Sequence, residues 1–122
     1  MSETIFFDTY AILEIIYGNK NYEKYKDNNI VTTKLNIFEL YYKLLIIYNE
    51  KTALSYFDKY YQHINDFSAD TIKEAAKMRL MFKKQDMSMV DCIGYIKARE
   101  LGIKFLTGDK QFEYLPDVEF VK

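Results

Sequence analysis

The chain has 122 residues, of which 49% are hydrophobic and 17% aromatic, enough for one domain with a well-filled core. Its charged residues nearly balance, with a formal net charge of -1, which excludes a strongly basic protein that coats nucleic acid but not one with local basic faces. The lone Cys92 excludes an internal disulfide and a cysteine-built metal site, and no apolar run approaches the roughly 18 residues of a membrane helix. We therefore expect one soluble, cytoplasmic domain over residues 1–122.

Short strands alternate with helices in the first half of the chain. An apolar run that ends before Asp8 precedes a stretch with helical spacing of apolar residues, and Gly18 supplies the stop signal for that helix. The predicted elements are a strand at 4–7, a helix at 9–17, a short helix within 19–29, a strand at 30–31, and helices at about 34–48 and 52–60.

The second half continues the alternation. Ser68 offers an N-cap for one helix, and Gly102 marks the C-terminal end of the next. The predicted elements are a weak strand at 62–67, helices at 68–84 and 88–101, a strand at 103–106, a helical turn at 110–114 and a last strand at 118–121. Such alternation predicts an α/β domain whose parallel sheet is covered on both faces.

Two carboxylates follow predicted strands. Asp8 comes directly after the first strand, and Asp109 follows the strand at 103–106 through Thr107 and Gly108. Ligands of open parallel sheets bind outside the carboxyl ends of the strands, so both acids are candidates for a functional site. Each also has a structural interpretation, as the N-cap of the next helix.

Two further carboxylates lie on apolar helices. Glu39 falls within a helix that is apolar on most of its circumference, which predicts burial on two sides. Such an acid must be paired, protonated or bound to a cation, and a salt bridge to a neighbouring lysine is the structural alternative. Asp91 shares a face with Gly94, which predicts close packing, and Ser88-x-x-Asp91 is also a variant of the capping box.

The four acids together indicate a metal site. Four unpaired carboxylates repel each other and raise one another's pKa values, unless a divalent cation lies between them. Ligands that offer only oxygen favour Mg²⁺ or Mn²⁺ over zinc. Carboxylate clusters that hold such ions are typical of phosphodiester hydrolysis, in which a metal-activated water is the nucleophile.

Three segments resemble the motifs of PIN-domain ribonucleases, most closely the small VapC-type toxins, and the resemblance covers essentially the whole chain. "IFFDTYAIL" matches the opening motif and carries over Asp8, and "VTTKLNIFEL" carries over Glu39. "SMVDCIGYIKARELGIKFLTGDKQF" matches the third and fourth motifs and carries over Asp91, Thr107 and Asp109. The departures from the family pattern are Tyr10, Cys92 and Gln111, and they leave the four core acids in place.

The resemblance implies a three-layer α/β/α fold with a five-stranded parallel sheet. It also implies metal-dependent endonucleolytic cleavage of RNA, a homodimer, and inhibition by a cognate antitoxin. The motifs do not separate toxins from PIN-fold nucleases that process RNA, or from a PIN-fold scaffold that only binds. A receiver-like signalling domain is a further alternative, but the chain lacks its acidic pair, its third-strand phosphoacceptor and its Lys-Pro.

Basic and aromatic residues outside the motifs leave two interpretations open. The predicted helix at 68–84 carries basic residues at helical spacing that either contact RNA phosphates or form a solvated face, namely Lys73, Lys77, Arg79, Lys83 and Lys84. The pairs Tyr41-Tyr42 and Tyr60-Tyr61 either stack on unpaired bases or pack against a dimer mate. His63, in the weak strand, is assigned to packing.

Overall fold

Residues 2–122, which the computed structural model describes, form four strands, five α-helices and three short 3₁₀ helices. The strands are β1 (Thr4–Phe7), β2 (Asn29–Val31), β3 (Lys104–Thr107) and β4 (Val118–Phe120). The α-helices are α1 (Thr9–Tyr17), α2 (Lys34–Ile47), α3 (Glu50–Tyr61), α4 (Ala69–Met81) and α5 (Met89–Leu101). The 3₁₀ helices span Lys20–Tyr25, Lys83–Gln85 and Lys110–Phe112.

The strands form one parallel sheet in the order β2-β1-β3-β4, so that β1 and β3 lie side by side at its centre. Successive side chains of a strand point to opposite faces, and each face has its own core. Ile5, Phe7 and Leu106 pack with α1, α2 and α3, whereas Phe6 and Phe105 pack with α4 and α5. The predicted three-layer α/β/α arrangement is therefore confirmed.

Polar side chains start each helix. The N-cap side chain of every α-helix accepts a hydrogen bond from a backbone N–H of the first turn, which satisfies a donor that the helix itself leaves unpaired. These caps are Asp8, Thr33, Asn49, Ser68 and Ser88. Two helices end, as predicted, at a glycine in the left-handed conformation, Gly18 after α1 and Gly102 after α5.

The prediction of a fifth strand is wrong, since the segment at 62–67 contributes only a single parallel bridge, between Thr32 and Ile64. Two hydrogen bonds make this bridge, from the Thr32 N–H to the His63 carbonyl and from the Asn65 N–H to the Thr32 carbonyl. Residues 62–63 form the turn that follows α3, and residues 65–67 are irregular up to the cap of α4 at Ser68, so only the backbone around Ile64 pairs with the sheet. The sheet therefore has four strands.

Helix α2 is buried on one side, not on the two that its sequence predicts. Its buried residues are Asn36, Ile37, Leu40 and Leu44. The opposite side forms an apolar face that is open to solvent, at Phe38 (74% exposed), Tyr42, Leu45, Ile46 and Ile47. Together with α3 this face borders an apolar cavity of about 390 Å³. No helix within residues 2–122 combines the length and the apolar character that membrane crossing requires.

Gly108 connects β3 to the segment that carries Asp109, and it lies in a confined space. A Cβ atom at this position would be 2.5 Å from the carbonyl oxygen of Val121 and in contact with the ring of Tyr10. The Val121 N–H in turn donates to the Thr107 carbonyl at 3.0 Å, which holds this backbone in place. Only a residue without a side chain fits here.

We expect Gly108→Ala to lower the free energy of unfolding by about 1–3 kcal/mol, because the added methyl group meets backbone that cannot rotate away. Urea denaturation of the variant and the wild type measures the difference. Ser55→Ala on the exposed surface of α3 is the control and should change it by less than about 0.5 kcal/mol. A Gly108→Ala variant as stable as this control would contradict the packing described.

Candidate active site

Asp8 lies at the carboxyl end of β1 and is only 2% exposed. Its Oδ1 atom accepts a hydrogen bond of 2.9 Å from the Thr9 N–H, so the interpretation as an N-cap is confirmed. Its own N–H donates to the Leu106 carbonyl of β3 at 3.1 Å. Asp8 is thus fixed by the sheet on one side and by α1 on the other, while its carboxylate borders a cavity.

The buried hydroxyl of Thr107 joins two of the predicted site residues. Its Oγ1 atom donates to Oδ2 of Asp8 at 2.7 Å and accepts a hydrogen bond of 3.1 Å from the Asp109 N–H. Asp109 in turn accepts a bond of 3.2 Å from the Gln111 N–H, as the N-cap of the short helix that follows. The ends of β1 and β3 are therefore held together by one side chain.

Buried polar contacts fix α2, and with it Glu39, against α1. Asn36 is fully buried, and its Nδ2 group donates to Oγ1 of Thr9 at 3.1 Å. Its Oδ1 atom accepts a bond of 2.6 Å from the hydroxyl of Thr33, the N-cap of α2. Glu39 lies one turn after Asn36, so these contacts set where its carboxylate stands relative to Asp8.

Asp91 lies in the first turn of α5, where its N–H donates to Oγ of Ser88 at 3.1 Å. The close packing predicted for this helix is observed at Gly94, where an added Cβ would be 3.0 Å from the ring of Phe6. This approach brings the first turn of α5 to the carboxyl edge of the sheet.

Asp8, Glu39, Asp91 and Asp109 all border one cavity of about 210 Å³. Thr107 lies behind its wall, bonded to Asp8. The remaining lining residues are Tyr10, Leu13, Glu14 and Tyr17 from α1, and Lys43 from α2. We call this space the carboxylate cavity.

The four acids lack a protein counter-charge. No Lys, Arg or His of residues 2–122 lies within 4.0 Å of any of their carboxylates, so the salt bridge considered for Glu39 is not formed. Burial raises the pKa of Asp8 well above its usual value, and repulsion from Asp91 and Glu39 raises it further, against the hydrogen bonds from Thr107 and Thr9. Burial and repulsion from Asp109 and Glu39 likewise raise the pKa of Asp91, to about 6.

This donor set suits a hard divalent cation in charge and in ligand type, since it offers four carboxylates without a cationic partner. Within the described part of the chain, however, no group of three or more His, Cys, Asp or Glu side chains stands where it could already hold a metal ion. A cation bound among these acids would offset the repulsion that the raised pKa values reflect.

Sequence reasoning missed three features of the site. Tyr17 and Lys43 border the carboxylate cavity, and their spacing from Tyr10 and from Glu39, at i+7 and i+4, is the signal that places them on the same helix faces. The third feature is Asn36, whose signal in the sequence is that it is a polar residue within an apolar helix. The predicted basic helix face does not border this cavity: Lys77 lies 3.5 Å from Glu74, and Nε of Arg79 donates to the Met87 carbonyl.

Comparison with known proteins identifies the fold. The family model described as the PIN domain matches residues 5–118 of the chain. None of the curated proteins compared with the chain matches it.

Three solved structures resemble the chain over nearly its whole length. The toxin VapC20 of Mycobacterium tuberculosis, described as cleaving the sarcin-ricin loop, has a TM-score of 0.77 and 17% identity, with 97% of this chain and 99% of that chain covered. A toxin–antitoxin complex from Klebsiella pneumoniae has a TM-score of 0.75 and 16% identity, covering 94% and 95%. VapBC2 of Rickettsia felis, bound to a promoter DNA fragment, has a TM-score of 0.74 and 17% identity, covering 97% of both chains. At these identities the likeness is one of fold.

The raised pKa of Asp91 predicts a pH-dependent stability of the metal-free protein. A carboxyl group whose pKa is higher in the folded than in the unfolded state costs stability as the pH rises from its ordinary value of 3.8 to about 6. Asp91→Asn removes this cost, so the variant should match the wild type near pH 4 and melt roughly 4 °C or more above it at pH 7 and beyond.

Thermal unfolding in EDTA across this pH range measures the effect. Asp58→Asn on the exposed side of α3 is the matched control and should leave the pH profile unchanged. Parallel profiles for Asp91→Asn and the wild type would mean that Asp91 is not held in a repulsive environment.

Proposed function

The chain belongs to the PIN-domain family, and on that premise we propose that it is a metal-dependent endoribonuclease that acts as the toxin of a toxin–antitoxin pair. The single observation that carries the nuclease proposal is the carboxylate cavity, which is bordered by four acids from four different elements that form no ion pair within residues 2–122. A fold that only needed stability would gain by replacing such unpaired, mutually repelling charges, of which Asp8 is buried and the others half-buried, with apolar groups.

Asp8, Glu39, Asp91 and Asp109 are the residues that would hold Mg²⁺ or Mn²⁺. A bound ion of this class supplies a Lewis acid that lowers the pKa of a water molecule and offsets the charge of the phosphodiester. Asp8 and Asp109 approach from the ends of the two central strands, Glu39 from α2 and Asp91 from α5.

Thr107 acts through Asp8 and Asp109. By donating to Oδ2 of Asp8 and accepting from the Asp109 N–H, it fixes the rotamer of one acid and the backbone of the other. In the hydrolysis, water adds to phosphorus while the bond to the leaving oxygen breaks, and that oxygen takes up a proton.

We propose unpaired RNA as the substrate. Tyr10 and Tyr17 border the carboxylate cavity from α1, and Tyr17 is 47% exposed. Aromatic rings beside a phosphate-cleaving site provide surfaces on which single-stranded bases stack.

The proposal of a toxin draws on the structural neighbours. VapC20 is described as a toxin that cleaves RNA at the sarcin-ricin loop, and the other two neighbours belong to toxin–antitoxin complexes. A toxin of this type acts in the cytoplasm and has an antitoxin and a second copy of itself as partners. Two separate apolar surfaces are open to such partners, one on α2 and α3 and one on α4 and α5, where Leu80 and Met81 are 74% and 77% exposed.

Two alternatives remain within the family. One is a nuclease that processes RNA without being a toxin, and the other is a scaffold that binds without cutting. The unpaired acids favour an active nuclease over the scaffold, because a scaffold has no use for buried carboxylates that repel each other.

We expect purified protein to cleave total cellular RNA with Mn²⁺ or Mg²⁺ but not with EDTA, and Asp8→Asn to lower the rate by roughly a hundredfold or more. Asparagine still accepts the bond from the Thr9 N–H and can donate to Thr107, so the fold is retained while a ligand charge is lost. Electrophoresis of the RNA over time measures cleavage.

Asp58→Asn is the control here as well and should cleave at the wild-type rate. Mn²⁺ should also raise the melting temperature of the wild type and not that of Asp8→Asn, a readout that does not depend on finding the right RNA. Equal cleavage by wild type and Asp8→Asn would overturn the site, and wild-type protein that neither cleaves nor responds to Mn²⁺ would leave the scaffold alternative.

Expression in a bacterial host separates a toxin from a processing nuclease. We expect induction of the wild type to arrest growth and induction of Asp8→Asn to leave growth unchanged at equal protein level, because arrest requires cleavage. Growth that continues despite an active, accumulated wild-type enzyme would contradict the toxin assignment and favour the processing nuclease.

A further inference from the structure

Lys43 is the one basic residue that lines the carboxylate cavity, among five acidic ones. The acids are the four proposed ligands and Glu14. A lysine beside several acids is expected to form an ion pair with one of them. Lys43 follows Glu39 by four residues, and this order and spacing favour an ion pair on a helix.

Lys43 forms no such pair. Its ammonium group has no carboxylate within 4.0 Å among residues 2–122, although four ion pairs form there, including one between residues three apart on α4. The residue is exposed, so its charge stays hydrated and open to a ligand from solvent. Lys43 therefore does not neutralise the charge of Glu39.

A polyanion that enters the carboxylate cavity meets strong repulsion from its lining. An ion held by the four acids offsets that charge at the centre, but the phosphates that flank the cleaved bond lie beyond it. Lysine is suited to this place, because its ammonium is a compact charge with three donors on a flexible stem, which can follow a phosphate of any sequence.

The other basic residues that sequence patterning suggested for RNA are worse placed. Those of α4 and the turn after it do not border the carboxylate cavity, and two of them already have partners, Glu74 for Lys77 and the Met87 carbonyl for Arg79. Lys43 is also carried by the same helix as Glu39, so a phosphate bound to it stays within reach of the proposed metal ligands.

We infer that Lys43 is a substrate-binding residue, which contacts a backbone phosphate of single-stranded RNA at the rim of the carboxylate cavity. The inference rests on the proposed nuclease function and deepens it, since it assigns the charge that brings RNA into an acidic site. It predicts a contact made equally in the bound substrate and in the transition state, and one that is independent of base sequence.

The test measures binding of fluorescein-labelled oligouridylate by anisotropy over a range of salt concentrations, in EDTA. All proteins carry Asp8→Asn so that the probe is not cut. Lys43→Gln should weaken binding roughly threefold to tenfold at moderate salt and lower the slope of log Kd against log salt by about 0.7, the share of one phosphate contact on a single strand. Lys43→Arg, which keeps the charge, should bind like the parent.

Lys51→Gln is the matched control, because Lys51 is equally exposed, lies on α3, and does not line the carboxylate cavity. It should change neither affinity nor slope. In the cleaving protein, Lys43→Gln should raise KM and leave kcat within about twofold of the wild type.

The outcomes distinguish a failure of the role assigned to Lys43 from a failure of the proposed nuclease function. A salt slope unchanged in Lys43→Gln, with the parent binding and the wild type cleaving, would overturn the role of Lys43 and leave the nuclease standing. A lowered melting temperature with an unchanged slope would show an intramolecular role instead. A parent that does not bind the probe, with a wild type that cleaves no RNA, would overturn the proposed function and this inference together.

Discussion

The hydrogen bond from Thr107 to Asp8 is the contact on which the site depends. It joins the ends of β1 and β3, the two central strands, and the same hydroxyl holds the backbone of Asp109. Each of its ends is buried and fully satisfied, so the acids on either side of it cannot drift apart without leaving polar groups unpaired. Helices α2 and α5 place Glu39 and Asp91 beside the joined ends of β1 and β3.

The site works against the stability of the fold that holds it. Burial and mutual repulsion raise the pKa values of Asp8 and Asp91, so the carboxylates that would bind an ion are the groups that destabilise the protein without one. The surrounding structure offsets this cost with neutral contacts, among them Asn36 between Thr9 and Thr33. Among residues 2–122, no basic side chain forms an ion pair with the four acids, so their carboxylates stay available to a cation from solvent.

Sequence patterns predicted the features of this structure that depend on neighbouring residues in the chain. Asp8, Ser68 and Ser88 start helices as expected, and the acids at strand ends meet at one edge because parallel strands end together. Properties that depend on distant neighbours were missed. The sequence around Ile64 predicts a strand but forms one bridge, and the apolar circumference of α2 predicts burial although nothing within residues 2–122 covers Phe38. That Tyr17 and Lys43 border the carboxylate cavity depends on how α1 and α2 pack against each other, which the sequence pattern does not predict.

Asp8 and Thr107 are separated by 99 positions in the chain, and β3 is inserted beside β1 at the centre of the sheet. During synthesis, the first strand and the helices that follow it can form long before β3 exists, but the carboxyl edge of the sheet is incomplete until residues 104–109 have left the ribosome. An enzyme that destroys RNA would endanger its own messenger and its own ribosome if it became active too early. A chain that stops before β3 lacks Thr107 and Asp109, so the proposed site is assembled only after the segment that carries them has been synthesised.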